Sequence, residues 1–169
     1  MISRNARLDE LLELNIVRKR IVDDFGEDAI QLIRYMRGRS EVSDANIVQD
    51  TGIPEKSVQK SLLKMQDRNV MDCKKLVDDK GYITYLWSLD ENGLLEYLEK
   101  NVFGVFDELI IQLEEGVELY YCSSCSKESP LYFSYEDSLA YKFKCPNCGS
   151  KLEPLTPEIV HKLKEEYMK

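Results

Sequence analysis

The chain has 169 residues, 43% of them hydrophobic and 32% charged, with five cysteines, one histidine and a net charge of −8. That length suits one ordinary domain or two small ones, and no apolar run approaches the ~20 residues needed to cross a bilayer. The single histidine, His161, argues against most neutral-pH acid–base chemistry and most catalytic zinc sites, and the acidic balance argues against a general coater of duplex DNA.

Arg4 to Asp24 is expected to form one amphipathic helix, with Leu8, Leu11, Leu12, Ile16, Val17 and Ile21 at helical spacing and Gly26 ending it. The stretch MISRNARLDELLELN is charged throughout and lacks the apolar region of a secretory leader, so the expected location is cytoplasmic. Glu27 to Arg37 reads as a second helix. Ser43 caps a third, which Thr51-Gly52 closes, and Pro54 opens a fourth over Glu55 to Asn69. Val58, Leu62 and Met65 supply the inner face of the fourth. Lys56, Lys60 and Lys64 form a row on its outer side.

Two strands follow, Val70–Val77 and Tyr82–Leu89, joined by the turn Asp78-Asp79-Lys80-Gly81. Ile83, Tyr85, Trp87 and Leu89 share one face, expected to be the core face; Tyr82 and Leu86 share the other and are expected to be exposed, as is Lys80. Helices followed by a β-hairpin make a winged helix, here residues 1–89 with an N-terminal helical extension. In DNA-binding winged helices the last helix enters the major groove. The lysine row is compatible with that, and equally with a plain solvated face.

Asp90 caps a long helix, Glu91 to Glu115, of roughly 37 Å at about 1.5 Å per residue. Residues 90–121 carry nine carboxylates against one lysine, which accounts for the whole net charge because the other segments balance. A protein partner with a basic surface fits such a segment. Residues 90–116 are therefore read as an acidic linker helix.

Cys122-Ser-Ser-Cys125 and Cys145-Pro-Asn-Cys148 are separated by 19 residues. Two such pairs can converge as four thiolates on one tetrahedral ion. Residues 117–155 are thus expected to form a four-cysteine zinc ribbon with one structural Zn²⁺, its strands rich in aromatic residues from Pro130 to Phe143. Iron of the rubredoxin kind is the alternative metal. Disulfides are disfavoured in an intracellular chain, and four cysteines leave no open position for catalysis. Cys73 reads as a small buried hydrophobe in mid-strand. Residues 156–169 form a short C-terminal helix with His161 on its surface. The fold class is α+β: N-terminal winged helix, long linker helix, C-terminal zinc ribbon.

This order, with the strand Thr84-Tyr-Leu-Trp87 and the ribbon segments CSSC, YFSYEDSLAYKFKC and CPNCGSKL, resembles archaeal transcription factor E, the counterpart of the large subunit of the eukaryotic general factor TFIIE. The resemblance covers roughly residues 20–169. It implies a non-enzymatic initiation factor that joins RNA polymerase, TATA-binding protein and transcription factor B on promoter DNA. It further implies that the winged helix sits on the polymerase clamp, that the ribbon lies near the clamp base and stalk, and that the non-template strand is contacted and melting is favoured. A β-type partner subunit is compatible with it. Lys56, Lys60, Lys64, Lys80, Tyr82 and Leu86 are the candidate contacts to polymerase or DNA. The competing reading is a sequence-specific winged-helix regulator with a structural zinc site; a redox or hydrolytic enzyme is disfavoured by the single histidine and the complete cysteine set.

Overall fold

The computed structural model of the chain describes residues 4–127 and 129–168, with side chains from Arg7 onward. It divides into two compact units. The first holds the described residues up to Leu12 together with Val17–Glu99; the second holds Glu13–Ile16 with the described residues from Lys100 onward.

The chain begins with α1 (Arg4–Glu13) and α2 (Asn15–Phe25), which belong to the first unit except at Glu13–Ile16. The single helix expected here is broken at Leu14-Asn15, where asparagine competes for backbone hydrogen bonds and is a poor interior helix residue. Next come α3 (Ala29–Met36), β1 (Val42–Ser43), α4 (Asp44–Thr51), α5 (Glu55–Asp67), β2 (Met71–Val77) and β3 (Ile83–Leu89). The caps are those expected. Ser43 Oγ accepts from the Asn46 N–H, and Gly52 closes α4 at φ 72° with its N–H on the Val48 carbonyl. The helices bury Leu32, Ile33, Met36, Ile47, Val58, Leu62 and Met65 almost completely. Buried Ser61 donates to the Phe25 carbonyl at 2.8 Å, tying α5 to the end of α2.

β3 is the central strand of three, between β1 and β2, and all pairs are antiparallel. Trp87 pairs with Val42 on one side and Cys73 on the other, is 4% exposed, and donates its indole N–H to the Asp44 carboxylate. β1 reaches only Leu86 and Trp87, so the outer half of the β2–β3 hairpin has no third strand. This corrects the expected core face: Ile83 and Tyr85 are 51% and 46% exposed, because no layer covers the hairpin beyond Trp87.

α6 (Glu91–Leu98) is capped by Asp90, whose side chain accepts from the Gly93 N–H at 2.9 Å. Tyr97 of α6 donates its hydroxyl to Asp24, which also pairs with Arg20, and its ring lies 5.0 Å from that of Phe25. The expected unbroken helix is interrupted after α6 by a π-helical turn, Glu99–Phe103, before α7 (Gly104–Glu114). Leu94 and Leu98 are buried in the first unit, and Val102 and Phe106 in the second.

The second unit contains α7, β4 (Leu119–Tyr121), β5 (Tyr132–Ser134), α8 (Tyr135–Ala140), β6 (Glu153–Pro154) and α9 (Pro157–Tyr167). β4 is the central strand, between β5 and β6. α8 replaces strand where aromatic β structure was expected. Ser134 Oγ accepts from the Asp137 N–H at 3.1 Å, forming a helix start that outweighs the β tendency of the neighbouring tyrosines. α9 packs on α7 through Phe106 and Tyr167, whose rings are 5.9 Å apart, and through Lys164 on Asp107 at 3.3 Å. The Tyr167 hydroxyl donates to the Ser126 carbonyl, and burial first, then Glu166, pushes that phenol up to about 12. Among the described residues no helix is long and apolar enough to cross a membrane.

Gly93 meets the Asn69 carbonyl so closely that an added Cβ would lie 1.9 Å from that oxygen. Gly93→Ala is therefore expected to destabilise the first unit by about 2–3 kcal/mol despite alanine's better helix propensity. Urea unfolding followed by the fluorescence of Trp87, the chain's single tryptophan, measures it.

Candidate metal centre and wing surface

Two short loops present the four cysteines of the ribbon. In the first, the Cys122 N–H donates to the Leu131 carbonyl at 3.1 Å, and the Ser126 N–H returns to the Cys122 carbonyl at 3.0 Å. In the second, the Cys145 N–H donates to the Ser150 carbonyl and the Gly149 N–H to the Cys145 carbonyl, both at 2.8 Å. Gly149 holds φ 74°, which a residue with a Cβ adopts only under strain.

The four Sγ atoms lie within 4.8 Å of one another. Cys122 and Cys148 are 3.5 Å apart, and Cys125 and Cys145 are 3.9 Å apart. Metal–sulfur bonds of about 2.3 Å in a tetrahedron give edges of about 3.8 Å, so donor number, type and separation all fit one metal ion. All four are free thiols rather than disulfides. Cys122 and Cys145 are buried with Leu152, and Tyr120, Leu131 and Phe133 pack against them. The first cysteine of each pair is thus enclosed in apolar side chains while Cys148 is exposed.

The thiols are electrostatically unequal. The Ser150 hydroxyl and backbone N–H donate to the Cys148 sulfur and pull it down to about 6. Hydrogen bonding with Cys148 pushes Cys125 up to about 12, and burial raises Cys122. Cys148 is thereby the thiol that ionises more readily than Cys122 or Cys125, which donate to it. A metal ion held by Cys122, Cys125, Cys145 and Cys148 would replace the remaining protons and cross-link the two loops. It would have no open position for substrate.

The candidate contact residues Lys56, Lys60, Lys64, Lys80, Tyr82 and Leu86 belong to the first unit, and the cysteines to the second. Lys56, Lys60 and Lys64 are exposed along α5, and Lys80 and Tyr82 are exposed at the hairpin tip, Tyr82 at 70%. Leu86, expected to be exposed, is half-buried because it sits in the central strand opposite Ser43 and Lys74. Cys73 is half-buried beside Trp87, and burial raises its thiol. His161 is on the surface of α9.

Sequence reasoning missed two features of the wing. Leu76, Val77, Ile83 and Tyr85 are all exposed with Tyr82, so the tip is an apolar surface rather than a core face. Behind it lies a groove of about 530 Å³ between the start of α4, α5 and β3, lined by Asp44, Glu55 and Tyr85 among others. The Gln59 amide donates to both carboxylates, at 3.5 and 3.4 Å. Alternation of apolar residues signalled a strand face; its length beyond β1 was not visible in the pattern.

A family model described as the TFIIE alpha subunit matches residues 15–118. The chain is 28% identical to Transcription factor E of Ignicoccus hospitalis, over 94% of this chain and 92% of that one. It is 26% identical to Transcription factor E of Sulfurisphaera tokodaii, over 98% and 90%, and 28% identical to that of Thermococcus kodakarensis, over 75% and 69%.

Elemental analysis is expected to find one metal equivalent in the parent and none in Cys145→Ser, whose ribbon unfolds while the Trp87 unfolding transition stays within about 0.5 kcal/mol of the parent. Lowering the pH is expected to weaken metal binding, because protons compete for the thiolates. The dependence steepens below about 6, where Cys148 also takes up its proton. A chelator titration read at several pH values gives the slope.

Proposed function

This chain belongs to the TFIIE alpha subunit family, with a role in transcription initiation, and from that premise we propose that it is a general factor that binds RNA polymerase and stabilises melted promoter DNA. Its partners in that complex are the polymerase clamp and stalk, TATA-binding protein, transcription factor B and the non-template strand. A β-type subunit can join them. The division of labour follows residues 1–89 for the winged helix, 90–116 for the acidic linker, 117–155 for the ribbon and 156–169 for the closing helix. The ribbon metal is zinc, held by the four cysteines for structure alone, and no catalytic step enters the role.

The observation that carries this reading is the wing tip. Val77, Tyr82, Ile83 and Tyr85 expose apolar surface that water does not favour, on a hairpin fixed at its base by Trp87. Such a tip suits a protein surface, or unstacked bases on Tyr82 and Tyr85. Lys80 at the tip and Lys56, Lys60 and Lys64 on α5 supply charge toward phosphate or an acidic patch.

The competing regulator reading fits the same unit less well. A duplex reader brings phosphates against the start of its recognition helix and wing. Here Asp44 and Glu55 stand in that groove, and Gln59, the α5 glutamine nearest the helix start and suited to bidentate adenine contact, is bonded to both.

Melting is then a population shift. A factor that binds the open complex more tightly than the closed one moves the equilibrium by the difference, and about 1.4 kcal/mol changes the ratio tenfold. Tyr82→Ser with Ile83→Ser is expected to weaken polymerase binding about tenfold with Trp87 emission unchanged. Lys56→Gln with Lys60→Gln and Lys64→Gln is expected to weaken it less and to flatten its salt dependence. Sedimentation with purified polymerase measures both. Tight binding to one duplex sequence, with no co-sedimentation, would replace this reading by the regulator.

A further inference from the structure

The two flanks of β3 are unequal. β2 pairs with it from Leu89 to Ile83, whereas β1 stops at Leu86. The Asp90 N–H donates to the Val70 carbonyl and the Asp78 N–H to the Tyr82 carbonyl, so alternate residues from Tyr82 to Asp90 turn their backbone groups toward β2. Those of Ile83, Tyr85 and Trp87 face the other way. Trp87 meets Val42 there, and among the described residues nothing bonds the N–H of Ile83 or Tyr85. Open strand edges are commonly blunted by lysine or proline. The outer edge of β2 carries Lys74 and Lys75, but the open stretch of β3 is Ile83-Thr84-Tyr85, with neither.

This edge borders the groove at the start of α4 and α5. Ile83 and Tyr85 share the Trp87 face, so a strand added alongside would turn every second side chain toward Ala45 and Val48 in the groove. Two carboxylates stand in the same place. The nitrogen of the Gln59 amide lies 3.5 Å from the Asp44 carboxylate and 3.4 Å from that of Glu55, so one atom reaches both. Asp44 accepts from the Trp87 indole as well. These donors are neutral, and among the described residues neither carboxylate has a cationic partner. Like charges held this close favour a cation between them.

We propose that an extended basic peptide segment of a partner protein adds as a short strand to the open edge of β3 at Ile83–Tyr85. Its backbone carbonyls accept from the Ile83 and Tyr85 N–H groups, an apolar side chain covers Val48, and a lysine or arginine takes the place of the Gln59 amide between Asp44 and Glu55. A helical partner has its own backbone groups satisfied and offers the edge nothing. Nucleic acid and acidic peptides would meet two carboxylates. A second copy of this chain, paired edge to edge, would set Asp44 and Glu55 against their own counterparts. The site operates without polymerase or promoter, so it and the melting role can fail separately.

The test is fluorescence anisotropy of a labelled peptide of Arg-Ser-Val-Ser repeats with the full metal-loaded chain and no polymerase. Glu55→Gln is expected to weaken binding about fivefold and to lessen its salt dependence. Ala45→Lys, which adds a competing cation to the groove, is expected to weaken it about tenfold. Ile83→Pro removes one edge N–H at the first position of β3, leaves the bonds of Thr84 and Leu86 to β2, and is expected to cost about tenfold. Trp87 emission reports folding of each variant. Amide hydrogen exchange reads the pairing directly: saturating peptide slows Ile83 and Tyr85 about tenfold, while Lys75, whose N–H faces outward from β2, keeps its rate. Absence of binding, equal binding of a Glu-Ser-Val-Ser peptide, indifference to Glu55→Gln, protection at Lys75 instead of Ile83 and Tyr85, or self-association of the chain through this edge would each overturn the proposal.

Discussion

The first unit depends on one anchored side chain. Trp87 lies where β1, β2 and the start of α4 meet, enclosed by the helical core and tied to Asp44. A large aromatic ring with its N–H satisfied is fixed in both depth and rotation. That fixes β3, and β3 carries the hairpin. Because β1 is two residues long, the anchoring ends there and everything beyond Trp87 projects without cover. An apolar tip on a fixed stem loses little freedom when it docks, which is where a stiff contact gains over a floppy loop.

The second unit solves a different problem. Its sheet is three short strands, and apart from the apolar packing of α7 on α9 its cysteine end is buried around only Cys122, Cys145 and Leu152. At that end, four thiols placed at tetrahedral separations would let a metal ion do what apolar volume does in the first unit. With stability drawn from that centre, the outside of the ribbon is released from packing duty. The left-handed pair Lys142-Phe143 and the opposed Lys144 and Lys151 are costs that a self-sufficient sheet of this size would not carry easily.

Much of this was legible in the residues. Ser43, Gly52, Pro54 and Asp90 are local punctuation, and each acts at the position where it was read. The spacing of the cysteine pairs states its chemistry without reference to the rest of the chain. Three features were not legible. Alternation in β3 tells which residues share a face, and not whether a layer exists to cover it, so the pattern alone points Ile83 and Tyr85 inward. The break at Leu14-Asn15 and the π turn at Glu99–Phe103 lie within nearly continuous apolar periodicity, where packing decides. Aromatic residues suggested strand from Pro130 to Phe143, and the Ser134-to-Asp137 cap, visible in hindsight in the sequence, prevailed for α8.

The central claim is that this chain shifts a promoter toward its melted state. The most direct measurement places 2-aminopurine in the bubble region of several unrelated promoters, with polymerase from the source cell, TATA-binding protein and transcription factor B. The account predicts a fluorescence rise that depends on this chain at every promoter. A signal that is the same with and without it, although the chain co-migrates with polymerase, would contradict the claim and leave a structural adaptor.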